Sequence, residues 1–195
     1  MEELEIDLVF KEEKQKDMVS EWDKCVPIVV KGDVVTVYMN EEVYEVDTYN
    51  ELCYMLEHTK ARQVRLCMNN GGGQMDTMKS LLHSMSKCQA EIVGVLSGTV
   101  ASAATMIALH CDKLEIADYT AFMIHSASGG ISGKSHETKA YMEFNDILLK
   151  ELFNKIYKGF LSDTEIKKVL DGKDMWMGKA EVEERFAKMR KLTNG

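Results

Sequence analysis

The stretch Gly98-Thr99-Val100-Ala101-Ser102-Ala103-Ala104 joins a predicted strand to a predicted helix. Before it, residues 91–97 form a short, apolar and β-branched segment that is typical of a buried strand. After it, the segment up to His110 contains strong helix formers and no helix breaker. We therefore expect Ser102 to lie in the first turn of a helix that directly follows a buried strand.

A serine in that first turn has a chemical consequence. The first N–H groups of a helix have no intrahelical partner and lie at the positive end of the helix dipole. Ser102 is therefore well placed for nucleophilic attack, and the N–H of Ala103 is well placed to receive the resulting oxyanion. The alternative is structural, since a run of small residues also lets a helix pack closely on a sheet. This stretch alone leaves both interpretations open.

A glycine loop, Asn69-Asn70-Gly71-Gly72-Gly73, lies between a strand predicted at 63–68 and a helix predicted from about Met75 to Lys87. Three consecutive glycines allow a tight turn and expose N–H groups to a ligand. The loop has neither the P-loop spacing nor the dinucleotide-binding spacing. It is therefore either an oxyanion-binding loop beside the nucleophile or a plain flexible turn.

Strands and helices alternate through the first part of the chain. Strand-like segments at 28–30 and 34–39 are followed by a helix from Asp47 to about Thr59 and by the strand at 63–68. A strand, a helix and a strand at this spacing imply a parallel pair with a right-handed crossover, so the predicted fold class is α/β.

His125 ends a strand predicted over residues 120–125 and precedes a loop that contains glycines. A histidine at such a position is commonly a hydrogen-bonded structural residue. In α/β folds, however, the strand ends that enter loops also carry catalytic groups. The pattern alone leaves both roles open for His125.

A long amphipathic helix is predicted from about Lys134 to Tyr157. A helix of this length often projects from a small domain, so we expect its apolar stripe to bury against another subunit. The stripe consists of Tyr141, Phe144, Ile147, Leu148, Leu152 and Ile156. Beyond it, a short helix is predicted at 163–170 and a charged helix is predicted to begin near Gly178.

Composition restricts the class of protein. A chain of 195 residues, 45% of them hydrophobic, can bury one good core and gives no sign of a second domain. A net charge of −8 without a Lys/Arg block argues against nucleic-acid and membrane-surface partners. No apolar run reaches the roughly 20 residues of a membrane span, and the N-terminus is acidic, so we expect a cytoplasmic protein. The five cysteines are scattered without a Cys-x-x-Cys pair, which predicts reduced thiols and no metal site.

Four segments together resemble the ClpP-like serine peptidase family, which has the ClpP/crotonase fold. They are the loop 69–73, the turn 101–104, the strand Met123-Ile124-His125 and the segment Asp174-Met175-Trp176-Met177, in the family's order and spacing. The resemblance covers about residues 26–190. It implies an α/β fold built as a repeated β-β-α superhelix with a projecting long helix.

The resemblance also implies a domain organisation. Residues 1–25 would form an N-terminal strand or arm, and residues 26–195 a single ClpP-like protease domain. The handle-type helix of that domain would span about 134–157.

The family's site residues carry over to matching positions here. Ser102 corresponds to the nucleophile, His125 to the general base and acid, and Asp174 to the residue that orients the imidazole. These roles agree with the chemistry, since a serine hydroxyl is a poor nucleophile until a neighbouring base takes its proton. The N–H groups of Gly73 and Ala103 correspond to the oxyanion hole, and no cofactor is implied. The residues expected to bind an extended peptide substrate are Gly72, Gly129, Gly130, Ile131 and Ser132.

The implied function is that of a serine endopeptidase, ATP-independent in itself, which cleaves peptides or unfolded proteins within a self-compartmentalised homo-oligomer made of one ring or stacked rings. The turn 101–104 and the Trp176-Met177 segment look more like the ClpP-like proteases of tailed phages, which act in head maturation. That branch would place the protein in the host cytoplasm or the immature virion. The lack of proline in the loop 69–73 speaks against docking to an unfoldase ring.

Two alternatives to the peptidase remain. One is an acyl-CoA hydratase or isomerase of the crotonase branch, which shares paired oxyanion-hole amides but usually needs carboxylate acid–base residues. The other is a catalytically silent assembly subunit that keeps the ClpP fold and its ring contacts.

Overall fold

The computed structural model describes residues 26–128 and 134–193. Within these ranges the chain forms one seven-stranded sheet in the order β1-β2-β3-β4-β6-β7, with β5 pairing to β4. The strands are β1 (Ile28–Lys31), β2 (Val34–Met39), β3 (Gln63–Asn70), β4 (Glu91–Ala101), β5 (Lys113–Ile116), β6 (Ala121–Ile124) and β7 (Met175–Gly178).

Six α-helices accompany the sheet in the part of the chain that the structure describes. They are α1 (Asn50–His58), α2 (Met75–Lys87), α3 (Ala103–His110), α4 (Ser135–Tyr157), α5 (Asp163–Leu170) and α6 (Lys179–Thr193). A short 3-10 helix at Val46–Tyr49 precedes α1. The carboxylate of Asp47 does not cap this helix but accepts the N–H of the next residue, Thr48, at 3.0 Å. The predicted α/β class is confirmed.

The central strands run parallel, as the strand and helix spacing predicts. β2, β3 and β4 pair in parallel, and β1 joins β2 through an antiparallel hairpin. The long strand β4 changes partner along its length: Val93 to Leu96 pair with β5, and Thr99 to Ala101 pair with β6. Strand β4 therefore continues past its predicted end at Ser97, and the following helix begins one residue later than expected.

The core lies between the sheet and the helices that cover one of its faces. Buried and half-exposed residues alternate along β2 and β3, which is the pattern of a sheet with one covered face. Every residue of α3 from Ala103 to Leu109 is buried. A helix that is apolar on all sides is held firmly by its surroundings, so its first turn is a rigid platform for Ser102.

The long helix α4 has two different halves. Its C-terminal half packs on the core through Phe153 and Tyr157, which are fully buried. In its N-terminal half the side chains of Tyr141, Phe144 and Ile147 are 55%, 59% and 56% exposed. The predicted apolar stripe is therefore only partly covered within one chain. No helix in residues 26–128 and 134–193 is both long and apolar enough to span a membrane.

Candidate active site

Ser102 lies at a sharp turn between β4 and α3. Its backbone has φ 55° and ψ −130°, and the residue is the N-cap of α3. Its N–H donates to the carbonyl of Met123 in β6 at 2.9 Å, and its own carbonyl accepts the N–H of Thr105 at 2.9 Å. A positive φ is strained for a residue with a side chain and costs about 1–3 kcal/mol. Such strain persists only where the surrounding structure holds it, and it occurs preferentially at functional sites.

Gly72 packs directly against this turn. A Cβ atom built on Gly72 would lie 2.6 Å from the Cβ of Ser102, 2.7 Å from the carbonyl oxygen of Ala101 and 2.9 Å from the nitrogen of Ala103. Gly72 also has a φ of +96°. Only glycine fits here. Because Gly72 has no side chain, the glycine loop can contact the start of α3.

Gly73 is held on its other side by Val43. The N–H of Val43 donates to the carbonyl of Gly72, and its carbonyl accepts the N–H of Gln74, both at 2.7 Å. This pairing uses polar groups of the residues on either side of Gly73. Among the described residues, the N–H of Gly73 has no acceptor, and neither has the N–H of Ala103, the first residue of α3. These are the two N–H groups that the family resemblance assigns to an oxyanion hole.

Asn70 organises the glycine loop from within the protein. Its buried side-chain oxygen accepts the N–H of Gly72 at 2.8 Å. Its side-chain nitrogen donates to the carbonyl of Met39 at 3.2 Å and to the carbonyl of Glu41. One amide therefore ties the loop to the segment that follows β2. The sequence pattern predicts no separate role for Asn70 within the loop 69–73, although an amide with both donor and acceptor groups beside three glycines is a usable signal.

Asn69 makes a second connection of this kind. Its side-chain oxygen accepts the N–H of Thr99 in β4 at 3.0 Å. Gly98 has a φ of +62°, and a Cβ atom there would lie 2.6 Å from that same oxygen. The pairing between β3 and β4 shifts register at this point. Asn69 thus bridges the irregularity and lets β4 continue to the turn that carries Ser102.

His125 and Ser102 follow neighbouring parallel strands. Ala101 at the end of β4 pairs with Met123 of β6. Since β4 and β6 are parallel, Ser102, which follows Ala101, and Ile124, the last residue of β6, lie at the same end of these two strands. His125 follows directly after β6. The backbone therefore brings the predicted nucleophile and the predicted base to one edge of the sheet, by which we mean the edge formed by the C-terminal ends of β4 and β6.

Asp174 reaches this edge from the other side of β6. Strand β7 is antiparallel to β6, with Met175 paired to Ile124. His125 directly follows the last residue of β6 and Asp174 directly precedes the first residue of β7, so both lie at the same end of the β6–β7 ladder. The order of strands is thus β4, β6, β7, and it matches the order of serine, histidine and aspartate in a triad.

The three side chains differ in exposure. Ser102 and His125 are half-buried, whereas Asp174 is exposed. In the described ranges no hydrogen bond or ion pair links these three side chains to one another. The predicted substrate-binding residues Gly129, Gly130, Ile131 and Ser132 lie outside the described residues, so their role stays a prediction.

Trp176 adds an apolar surface beside this edge. It pairs with Met123 in the β6–β7 ladder and is exposed. Trp176 is the second residue of β7 and lies two residues after Asp174. The sequence pattern does not predict β7 as a strand, so it gives no sign of where Trp176 lies.

Titratable groups at the opposite ends of these elements from Ser102 have structural roles. Lys179, at the start of α6, donates to the carboxylate of Asp118 at 2.8 Å, and this hydrogen bond lowers the pKa of Asp118. The contact ties the turn before β6 to the end of β7. Burial raises the pKa of the Cys111 thiol, at the end of α3, so this cysteine is a poor nucleophile. In residues 26–128 and 134–193, no cluster of His, Cys, Asp or Glu is arranged to hold a metal ion.

A sequence model of a protein family described as "Clp protease" matches residues 11–185 of this chain. The chain belongs to the Clp protease family. The match includes the glycine loop and all three predicted triad positions, which confirms the resemblance drawn from the four sequence segments. A search of curated proteins found no match. Membership in the Clp protease family supports a ClpP-type peptidase, a hydrolase, in general terms.

A cavity of about 660 Å³ lies away from this edge. Its lining includes Ile92 at the start of β4 and His110 at the end of α3, whereas Ser102 follows the opposite end of β4. A cavity is often the first guess for an active site. In this member of the Clp protease family we favour the edge at Ser102, because the cavity contains none of the N–H donors and none of the predicted triad residues.

Proposed function

We propose that this chain is a serine endopeptidase in which Ser102 is the nucleophile, His125 the general base and acid, and Asp174 the orienting carboxylate. The observation that carries the proposal is the strained serine at a strand-to-helix turn, with the histidine directly after β6 and the aspartate directly before β7 at the same end of the sheet. This arrangement, together with family membership, supports a peptidase over any other chemistry of the fold.

In the proposed reaction, the Oγ of Ser102 attacks the scissile carbonyl carbon while its proton moves to the ring of His125. The resulting tetrahedral intermediate collapses as the protonated His125 gives that proton to the leaving amine, so the C–N bond breaks and an acyl-enzyme remains. Water then attacks the ester carbon, with His125 accepting the water's proton and returning it to the Oγ of Ser102. The carboxylate of Asp174 stabilises the imidazolium in both steps.

The negative charge on the intermediate needs donors that are already in place. The N–H groups of Gly73 and Ala103 have no acceptor in the described part of the protein, and Gly72 brings the glycine loop against the start of α3. Each such donor typically contributes about 3 kcal/mol of transition-state stabilisation. The positive end of the α3 dipole adds to the same field.

We further propose that the substrate is an extended peptide or an unfolded protein, and that the active form is a homo-oligomer of one ring or stacked rings. The exposed apolar half of α4 supports the assembly. The likeness of residues 101–104 and of the Trp176-Met177 segment to tailed-phage proteases supports a role in phage head maturation, in the host cytoplasm or the immature virion. The chain itself uses no ATP in this proposal.

The test is labelling with a fluorophosphonate, which reacts covalently with activated serines, together with hydrolysis of a fluorogenic peptide. We expect the wild type to be labelled and active, and Ser102→Ala to be neither. Ser97→Ala is the matched control, because Ser97 is an exposed serine of β4 that has no proposed role. Labelling that persists in Ser102→Ala contradicts the proposal.

The same assay separates the alternatives. A wild type that is neither labelled nor active at any pH, in its native oligomeric state, indicates a catalytically silent assembly subunit. Turnover of an acyl-CoA thioester without labelling indicates the crotonase branch.

A further inference from the structure

A buried pair of hydroxyl groups lies directly behind the Ser102 turn. The Oγ1 of Thr105 is 2.6 Å from the carbonyl oxygen of Ser102 and 2.7 Å from the hydroxyl oxygen of Tyr157. Both Thr105 and Tyr157 are fully buried. Thr105 belongs to the first turn of α3, and Tyr157 is the last residue of α4.

The direction of the two hydrogen bonds follows from the number of protons. A carbonyl oxygen only accepts, so the single hydroxyl proton of Thr105 is donated to Ser102. The oxygen of Thr105 must then accept the proton of Tyr157. Burial raises the pKa of Tyr157, which keeps its hydroxyl protonated and able to donate. The chain of donors therefore runs from Tyr157 through Thr105 to the carbonyl of Ser102.

That carbonyl shares a planar peptide unit with the N–H of Ala103. Because the unit is rigid and trans, fixing the direction of the carbonyl also fixes the direction of the N–H. The carbonyl already accepts the N–H of Thr105 at 2.9 Å as the first turn of α3 begins. The hydroxyl of Thr105 is a second donor to it, and the hydroxyl of Tyr157 polarises that donor further.

We propose that Thr105 and Tyr157 are positioning residues, which hold the peptide between Ser102 and Ala103 so that the Ala103 N–H points at the oxyanion. The inference rests on the proposed function, because it assigns to that function the elements that hold its oxyanion donor. Neither residue touches the substrate. Both act by keeping the strained turn in the one orientation that serves the reaction.

The placement of Tyr157 argues for a role beyond filling space. Its ring packs edge-on against Phe153 with centroids 5.1 Å apart, and its carbonyl accepts the N–H groups of Phe160 and Leu161 at 3.0 and 2.8 Å. A phenylalanine would fill the same volume and make the same backbone contacts. The Tyr157 hydroxyl adds only the hydrogen bond to Thr105, and Thr105 in turn donates to the carbonyl of Ser102. The hydroxyl therefore supports the Ser102 turn.

The experiment compares Thr105→Val, Tyr157→Phe and the rescue variant Thr105→Ser with the wild type in peptide hydrolysis. We expect Thr105→Val to lower kcat about tenfold or more with KM changed less than about twofold, since a misdirected donor weakens only the transition state. Tyr157→Phe is expected to lower kcat about threefold to tenfold. Thr105→Ser keeps the hydroxyl and is expected to retain most of the activity.

The matched control is Thr120→Val. Thr120 is also buried, and its hydroxyl donates to the carbonyl of Ala117 at 2.7 Å, at the opposite end of β6 from His125. We expect Thr120→Val to lower stability without lowering kcat. A peptide boronic acid, which forms a tetrahedral adduct on the serine, is expected to bind Thr105→Val more weakly by about the same factor as the loss in kcat.

Two results overturn the inference: unchanged kcat in a folded Thr105→Val, or equal losses in Thr105→Val and Thr120→Val. An inactive wild type overturns the proposed function instead. In that case, crystal structures of Thr105→Val and Tyr157→Phe test the orientation of the peptide without any measurement of activity. A rotated peptide between Ser102 and Ala103 supports it, and a retained φ near 55° with unchanged carbonyl direction refutes it.

Discussion

Gly72 and Ser102 approach each other so closely that the space between them holds a hydrogen atom but no methyl group. This contact makes the glycine loop and the nucleophile turn one unit, although they are separate in the sequence. Gly73 faces the backbone of Val43 instead, so a side chain at Gly73 disturbs the loop's anchor as well as its N–H. Gly72 is therefore the position at which a substitution acts most directly on Ser102.

Replacing Gly72 with alanine should remove most peptidase activity, by about a hundredfold or more, because the new methyl group displaces Ser102 and the Ala103 N–H from the substrate. Gly32→Ala is the control, since Gly32 also has a positive φ but a Cβ atom there has nothing within 4 Å. Steady-state hydrolysis of a fluorogenic peptide by both folded variants measures the difference. Equal activities of the two variants would show that the contact with Ser102 is unimportant.

The triad residues should behave as one catalytic unit. Ser102→Ala and His125→Ala are each expected to remove nearly all turnover, and the double variant should lose little more. Asp174→Asn should be severe but milder, since the amide favours the wrong tautomer of the histidine. Full activity in His125→Ala is the result that rules this mechanism out.

A capping box and an ion pair fix α5 against α6. The hydroxyl of Ser162 accepts the N–H of Glu165, and the Glu165 carboxylate accepts the N–H of Ser162 at 2.8 Å. The guanidinium of Arg185 in α6 donates to the same carboxylate at 2.9 and 3.1 Å. The Arg185 guanidinium lowers the pKa of Glu165 from its usual 4.5 to about 2, and the Ser162 cap contributes to the shift.

This pair predicts how stability depends on pH. A carboxyl group with a lower pKa in the folded protein stabilises the fold above its unfolded pKa, and the contribution is lost as pH falls toward the folded value. Glu165→Gln should therefore lower the free energy of unfolding at neutral pH by roughly 1–2 kcal/mol, allowing for solvent screening of a quarter-exposed pair. The difference should shrink between pH 4.5 and about 2.

Urea unfolding at several pH values measures this effect. The control is Glu184→Gln, which changes an exposed glutamate of α6 and should leave the curve close to that of the wild type. A difference between Glu165→Gln and the wild type that stays constant down to pH 2 would contradict the assignment.

Elements with strong local signals were predictable, and those that depend on distant partners were not. The predicted bounds of α2 and α5 agree with the structure. The apolar periodicity of both helices and the Ser162 cap of α5 are features of the local sequence. Strand β7 has only four residues, which do not alternate between polar and apolar types. It forms by pairing with β6, which is distant in the sequence. The extension of β4 through Gly98 depends on the side chain of Asn69, which no local pattern reveals.

The candidate active site likewise has features that the local sequence indicates and features that depend on distant residues. The identity of the candidate residues could be proposed from family segments, and the α/β class from strand and helix spacing. The support around them could not, because the hydroxyl pair of Thr105 and Tyr157 joins residues 52 positions apart. Tertiary contacts of this kind become visible only once the chain is folded.

The first half of α4 leaves aromatic and aliphatic side chains exposed to solvent. A contiguous apolar patch on a small domain is typical of a subunit interface. We expect Phe144→Glu to dissociate the assembly, because a buried, unpaired carboxylate opposes association. Light scattering at micromolar concentration measures the mass.

The matched control for Phe144→Glu is Tyr54→Glu, which places the same charge on an exposed aromatic residue of α1. This variant should keep the wild-type mass. A wild type that is monomeric at neutral pH would remove the oligomer from the proposal, and a Phe144→Glu protein of unchanged mass would move the interface elsewhere.

Strand β1 gives the separated subunit a further property. In the described residues no strand pairs with its outer edge, and its Val29 and Val30 side chains are exposed. An open, apolar edge strand is a template for β-pairing between molecules and hence for aggregation. Any variant that frees the subunits is therefore expected to precipitate more readily than the wild type, and a lysine in place of Val30 is the change that should keep it in solution.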